Sequence, residues 1–379
     1  MGRTVRDANK KMHSYYDYSL LFLVLFLICF GLIFVYSSSS YNAQRDFHDP
    51  MHFLSRQALF AGAGILVMIM VSKIDYRIYA KPLPIIKLKP LTILYFICMA
   101  LQAYVLIFGN ATKGSKRWIE IGSLGRFQPS ELTKIAVILF TAYVVDLAPK
   151  KLDKFKGFIR VCIYIVPILA LIVVANLSTT IIVCVIMVSI CFVASRKNMY
   201  FIVTGLIFGG FGALMTILFP YRSDRIEAWL HVETASNGYQ ILQGLYAIAS
   251  GGIFGKGLGE SMQKLGFIPE SHNDMIFSII CEELGLFGAF ALILLFILLL
   301  WRIFIIAINS TDLFGSLIAT GVLAHIASQV LISIAVVTNS IPSTGITLPF
   351  ISYGGSSVMV LLFEMGIVLS VSNQIKGER

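Results

Sequence analysis

Charge is what this sequence has least of. Only 13% of its 379 residues are Asp, Glu, Lys or Arg, about half the ~25% usual in a soluble domain. With 57% hydrophobic residues and a mean hydropathy of +0.83, that scarcity excludes a water-soluble globular chain. Acidic residues are scarcer than basic ones, 20 against 30, for a net charge of +10. Such an excess would suit nucleic acid, but the basic residues are not interleaved with exposed aromatics. They gather in short segments between apolar runs, as topology signals do, so the expected partner is the lipid bilayer and no nucleic acid. Cysteine is sparse as well. Cys29, Cys98, Cys162, Cys184, Cys191 and Cys281 form no CxxC pair and mostly sit inside apolar runs, as small core residues would. HExxH, a Cys/His metal cluster and a Ser-His-Asp order are all missing from the sequence. So is a cleavage site behind the first apolar run, which reads as a span rather than a signal peptide.

What is present is a series of apolar runs, each near the ~20 residues a bilayer requires. They fall at roughly 18–37, 57–72, 91–108, 131–148, 160–175, 179–195, 199–219, 285–307, 313–338 and 354–372. The fold class is therefore all-α, a single ten-span membrane domain over 1–379 with tails at 1–17 and 373–379. Little more than Asn176-Leu177-Ser178 separates the fifth and sixth runs, which leaves open a tight turn or a broken helix. With the N-terminus inside, 19 of the 30 lysines and arginines fall in inner segments and ten in outer ones. The positive-inside rule then makes both tails cytoplasmic. A polar island at 220–283, between the seventh and eighth runs, faces outward, as do 109–130 and 341–353. Loops as long as that island are usually functional.

Eight of the ten outer charges sit in two segments. Lys113, Lys116, Arg117 and Arg126 share one; Arg222, Arg225, Lys256 and Lys264 share the other. They are either solvated loop charges or an outward site for an anion, since these groups bind phosphate by charge-assisted hydrogen bonds. In the island, Asn273 or Asp274 could cap a short helix from Met275 to Leu284 ended by Gly285. Asp274 could equally serve as a general base at the membrane's outer face, and the two roles are compatible. Glu131 and Lys134 are three apart and share a helix face, as a structural pair or as the lining of a polar cavity. The run Gly251 to Gly259 fails the phosphate-loop pattern at Ser250 and Gly257; it reads as a link where backbone approaches something closely. Thr344 to Ser357 is an irregular outer segment, which must be buried in protein or line a cavity. Glu364 is an intramembrane carboxylate with His325 and Gln329 as candidate partners, in an interhelical hydrogen bond or a transport path. His272, Asp274, Glu282 and Glu283 form a weak candidate for a divalent cation, and no metal ligand is assigned.

These strings together resemble the SEDS family (shape, elongation, division and sporulation). The resemblance is carried by Lys116-Arg117-Trp118-Ile119, by Arg126-Phe127-Gln128-Pro129-Ser130-Glu131-Leu132-Thr133-Lys134, and by Gly238-Tyr239-Gln240 with the glycine run. Pro269 to Phe277, Glu282-Glu283-Leu284-Gly285 and Leu348 to Ser357 complete it, so it spans nearly the whole chain. Ser261-Met262-Gln263-Lys264 and Asp49-Pro50 look more like the FtsW and SpoVE branches than RodA. The resemblance implies a ten-span peptidoglycan glycosyltransferase working with a class B penicillin-binding protein and other divisome membrane proteins. Its substrate would be lipid II, polymerised in β-1,4 linkage with release of undecaprenyl pyrophosphate, for septal wall synthesis in division. An elongation or sporulation paralogue, a lipid II flippase and a non-enzymatic scaffold are the alternatives. The family's essential aspartate falls on Asp274, and the Arg, Glu and Lys of its fourth-helix motif fall on Arg126, Glu131 and Lys134. Lys116, Arg117, Lys256, His272 and Ser352 complete the substrate-binding candidates. Asn176 stands where the family often has Asp, Asn273 where many members have Thr, and Met275 where Phe is usual.

Overall fold

A computed structural model describes residues 13–14, 16–84, 87–112, 115–120, 122, 126–196, 205, 210, 220–235 and 238–377. Among them are eleven α-helices. In chain order these are α1 (Tyr18–Phe47), α2 (His52–Ser72), α3 (Pro90–Phe108), α4 (Pro129–Asp146), α5 (Phe155–Ala175) and α6 (Leu177–Ala194). They continue with α7 (Pro220–Leu230), α8 (Tyr239–Gly251), α9 (Ile276–Ile308), α10 (Leu313–Val337) and α11 (Gly355–Asn373). Eight are long and apolar enough to cross a membrane. α4 has the length of a span but carries Glu131, Lys134 and Asp146 along it. The expected seventh span, 199–219, lies outside the described residues except for 205 and 210.

The bundle packs around α4, α10 and α11. α10 lies against α6 and α9, and α2 runs along α11. Small residues allow that last approach: a Cβ on Gly64 would collide with Leu362, and one on Gly366 would press on Met68. In lipid there is no hydrophobic drive between helices, so such close backbone contact is what holds them together. At the end of the bundle that holds both tails, Asp17 caps α1 through Leu20 N–H at 2.9 Å and pairs with Arg302 at 2.6 Å. Arg77 pairs with Asp312 at 2.6 Å. Strands β1 (His13–Ser14) and β5 (Lys376–Gly377) pair antiparallel, which joins the two tails.

Several boundaries differ from the sequence reading. α1 continues to Phe47, ten residues past the expected end at 37, and closes at His48 in the left-handed region with φ 55°. Hydropathy falls at Ser37-Ser38-Ser39-Ser40, but polar residues continue a helix as readily as apolar ones once it leaves the lipid. The outer segment 109–130 holds a three-stranded antiparallel sheet of β2 (Asn110–Thr112), β3 (Ser115–Glu120) and β4 (Arg126–Phe127). α5 and α6 are separated by Asn176 alone, whose extended backbone ends one helix and whose side chain caps the next through Thr179 N–H at 3.2 Å.

Candidate active site

The polar island holds α7, α8 and a run of turns from 252 to 275. α8 buries Ile241, Gly244, Ala247 and Gly251 against the first turns of α9. Side chains any larger would not fit there, because a Cβ on Gly251 would strike the carbonyl of Cys281 and one on Gly244 would strike Met275. α9 itself breaks at Gly285, with φ 69° and ψ −168°. Such a break strands carbonyls before it and N–H groups after it, which lipid cannot satisfy. The glycine run supplies the missing partners. Lys256 and Gly257 donate N–H to the carbonyls of Glu282 and Glu283 at 3.0 and 2.9 Å. Leu286 and Phe287 donate to the carbonyls of Gly252 and Ile253 at 2.9 and 3.1 Å. Gly255 (φ 79°) and Gly285 touch backbone to backbone, so the close approach expected of this run is made to the helix break.

Two lysines lock the same loop. Lys256 Nζ meets Glu282 at 2.6 Å, while Ser261 and the N–H groups of Met262 and Gln263 also donate to that carboxylate. Lys264 Nζ reaches Glu283 at 2.7 Å, Ser37 of α1 at 3.0 Å and the carbonyl of Gly259 at 2.6 Å. The divalent-cation candidate is therefore corrected. Both glutamates are taken by lysine, and no group of three or more ligating side chains has metal-binding geometry among the described residues. Neither pairing has a local sequence signal, because the partners lie 26 and 19 positions apart.

With its base fixed in this way, the loop delivers Asp274 to the start of α9. The cap expectation is also corrected: the helix begins at Ile276 with Met275 at the N-cap position and no side-chain cap. Asn273 turns instead to Glu270 at 3.3 Å. Asp274 is half-buried. Its Oδ1 accepts from Gln240 Nε2 of α8 at 3.3 Å, and its Oδ2 lies 4.0 Å from where a Cβ on Gly345 would stand. Gly345 in turn lines a polar cavity of about 80 Å³ shared with Glu131, Lys134, Asn176, Gln329 and Tyr353. The irregular segment before α11 thus lines a cavity at membrane depth.

In that cavity Lys134 Nζ contacts both Glu131 oxygens, at 3.0 and 3.1 Å, and Gln329 at 3.3 Å. Ser357 donates to Glu131 at 2.8 Å, and Gln329 donates to the Thr347 carbonyl at 3.0 Å. Glu364 and His325 make the interhelical hydrogen bond, 2.8 Å long, and are both fully buried. His272 is buried beside Phe53 and Tyr353. Its surroundings disfavour the imidazolium so strongly that its pKa is pushed down to about 4, against the opposing pull of Glu270. Ser352 is buried, and its hydroxyl accepts from Leu348 N–H at 2.8 Å, closing the turn before α11.

The outer cations are more dispersed. Arg126 is 58% exposed and lies 3.7 Å from Glu120 across the small sheet. Lys116 donates to the carbonyl of Ile107 at 2.9 Å. Arg117 donates to the carbonyl of Ala175 at 2.9 Å, covering the end of α5. Lys113 lies outside the described residues. Among the site candidates, then, Glu131 and Lys134 share a cavity whose wall reaches Asp274, and Lys256 is tied to the loop that carries Asp274. Gln240, part of the Gly238-Tyr239-Gln240 string, has no role legible in the sequence, and its bond to Asp274 supplies one.

The sequence profile of the family described as cell cycle protein, FtsW/RodA/SpoVE, matches residues 18–377. Stage V sporulation protein E of Bacillus subtilis strain 168 is 40% identical, over 94% of this chain and 96% of its own length. The probable peptidoglycan glycosyltransferase FtsW of Trichlorobacter lovleyi is 36% identical over 95% of this chain and 94% of its own. Among solved structures, a chain of a peptidoglycan synthase complex that coordinates polymerisation and crosslinking aligns with a TM-score of 0.76. It is 26% identical and covers 95% of this chain and 98% of that one. RodA of Thermus thermophilus shares the fold at a TM-score of 0.68 and 24% identity, covering 96% of this chain and 98% of that one.

Proposed function

The chain belongs to the FtsW/RodA/SpoVE family of cell cycle proteins, and from that premise we propose that it polymerises lipid II into glycan strands at the outer face of the bacterial plasma membrane. As an enzyme it is a peptidoglycan glycosyltransferase. The observation that carries the finer reading is the placement of Asp274. A half-buried carboxylate stands on a doubly locked loop beside Gly345, and Gly345 lines a polar cavity among the helices.

Asp274 accepts the proton of the 4-hydroxyl on the acceptor GlcNAc. That oxygen attacks the anomeric carbon of the donor MurNAc as the bond to the pyrophosphate oxygen breaks. The leaving group departs with the electron pair, and the sugar carbon inverts. Fixed positive charge near the departing pyrophosphate lowers the barrier. Arg126 suits that role best, because its contact with Glu120 is long and exposed and a phosphate can displace it. Lys116 and Arg117 follow on the same small sheet. Lys256 is better read as a positioning residue, since Glu282 already holds it. Glu131 and Lys134 polarise the cavity without adding net charge to it.

The partner is a class B penicillin-binding protein, as the synthase-complex match suggests. The process is septal synthesis, with elongation and sporulation as alternatives of identical chemistry. Asp274→Asn should lower glycan polymerisation by the purified complex about 10²–10⁴-fold, the usual worth of a general base, with thermal stability unchanged. Undiminished polymerisation would overturn the assignment. Polymer made in detergent, where nothing can be transported, separates the enzyme from a flippase.

A further inference from the structure

The rings beside Asp274 form a continuous set. Phe47 stacks on His52 with centroids 3.9 Å apart and planes 3° from parallel. Phe53 stands edge-on to both, at 5.7 and 5.3 Å, and reaches His272 at 4.3 Å and Tyr353 at 5.0 Å. Tyr353 lies 5.4 Å from His272, donates its backbone N–H to the His272 carbonyl at 2.9 Å, and also lines the polar cavity. His272 precedes Asp274 by two residues. The set therefore runs from an open end, where Phe47 is 50% exposed, to His272 and Tyr353, where the exposed Arg56 meets Tyr353 and the chain reaches Asp274 two residues on.

Two explanations compete for exposed aromatics at a membrane's edge. Rings that serve lipid sit as a belt at the hydrocarbon boundary. Phe47 is above that boundary. The 30 residues of α1 extend about 45 Å at 1.5 Å per residue, against a hydrocarbon core of ~30 Å. Its last turns carry Ser38, Ser39, Ser40, Asn42, Gln44, Arg45 and Asp46, which lift Phe47 clear of the acyl chains. Aromatic faces are electron-rich and attract the slightly positive edge of a partner. A pyranose ring offers such a surface in its axial C–H bonds, while its hydroxyls need polar atoms nearby. The buried Nδ1 of His272 has no partner among the described residues, and Tyr353 and Arg56 supply further polar groups.

We infer that Phe47, His52, Phe53 and Tyr353 form a carbohydrate subsite, binding neutral GlcNAc-type sugar rings of the glycan strand next to Asp274. This inference rests on the glycosyltransferase reading above and assigns the platform a sugar rather than a lipid or a phosphate. Its outward ring surfaces, Phe47 among them at 50% exposed, hold the strand in register, so that the terminal hydroxyl meets the carboxylate.

The test uses chitotetraose, a lipid-free chain of four β-1,4-linked GlcNAc units, titrated onto the full-length protein in detergent by calorimetry. Wild type should bind it. Binding should weaken at least tenfold in Phe47→Ala/His52→Ala and persist in Phe47→Trp, with thermal midpoints recording that each variant is folded. In polymerisation, the double variant should raise the KM for lipid II more than it lowers kcat. Absence of chitotetraose binding to a wild type that polymerises through Asp274 would overturn the subsite and leave the function standing. So would an added indole fluorescence in Phe47→Trp, measured against wild type, that brominated lipids quench and chitotetraose leaves unchanged. Normal polymerisation by Asp274→Ala would instead remove the function, with chitotetraose binding still reporting on the platform.

Discussion

At the scale of single residues, the most consequential groups are those buried with a charge. Lys264 is enclosed with Glu283, which is itself fully buried. Removing one partner of a buried pair leaves an uncompensated charge and costs about 3–5 kcal/mol, whereas removing both is often neutral. Lys264→Met should therefore depress the thermal midpoint in detergent sharply, and Lys264→Met/Glu283→Gln should recover most of the loss. Glu282 keeps its bonds from Ser261 and from the N–H groups of Met262 and Gln263 when Lys256 is removed, so Lys256→Met should cost markedly less. His272 carries the opposite liability, a charge that burial forbids. An unfolded chain protonates this ring near pH 6.5, whereas the folded one refuses the proton down to about 4. The unfolded state thus binds more protons in that window, and stability falls as pH drops through it. Above about pH 6.5 both states are neutral and the effect vanishes. Thermal midpoints between pH 7 and 5 should decline less steeply for His272→Phe than for wild type.

At the scale of elements, the break in α9 matters more than the helix. It lets one chain segment be both the floor of the outer loop and the top of a span. Gly285 is the residue it depends on, since its φ of 69° with ψ of −168° belongs to glycine and a Cβ would meet Gly255 and Ile253. Backbone strain of this kind costs about 1–3 kcal/mol before any clash. Gly285→Ala should destabilise the fold and lower polymerisation together, and hydrogen exchange should rise at Lys256, Gly257, Leu286 and Phe287, whose N–H groups bridge the break. The sequence reading placed a helix end at Gly285 because a glycine there stops a pattern, but it could not see the partner. The same limit explains what else was hidden. Spans are legible because lipid demands unbroken apolar runs, whereas the extension of α1 beyond Ser37, partly buried against the protein, and the sheet of β2, β3 and β4 lie beyond those runs, where no such demand applies. The contacts of Glu282 and Glu283 join residues remote in sequence. In the residues alone Asp274 is legible only as a cap or a base, and the family resemblance singles out the second role; its contact with Gln240, 34 positions away, has no local signal.

At the scale of the molecule, the asymmetry of charge and the asymmetry of construction agree. One end of the bundle is tied by Asp17–Arg302, from the start of α1 to α9, and by Arg77–Asp312, from the Tyr76–Ala80 turn to the start of α10. In the second pair, burial opposes the Asp312 carboxylate most, yet its pKa still falls below the usual carboxylate range. The Gly315 N–H and Arg77 are the main groups that hold it ionised. The other end carries the locked loop, the small sheet and Asp274. The proposed joining of sugars outside the cell requires this division, with the clamped end inside and the chemically equipped end outside. The prediction is that the clamped end faces the cytoplasm. In intact cells, a membrane-impermeant maleimide should label Asn273→Cys on the outer loop and Phe47→Cys at the top of α1. It should fail to label Lys81→Cys, one residue beyond the Tyr76–Ala80 turn, until the membrane is permeabilised. The reverse pattern would place Asp274 in the cytoplasm, where a carboxylate so positioned could not meet a strand growing in the wall.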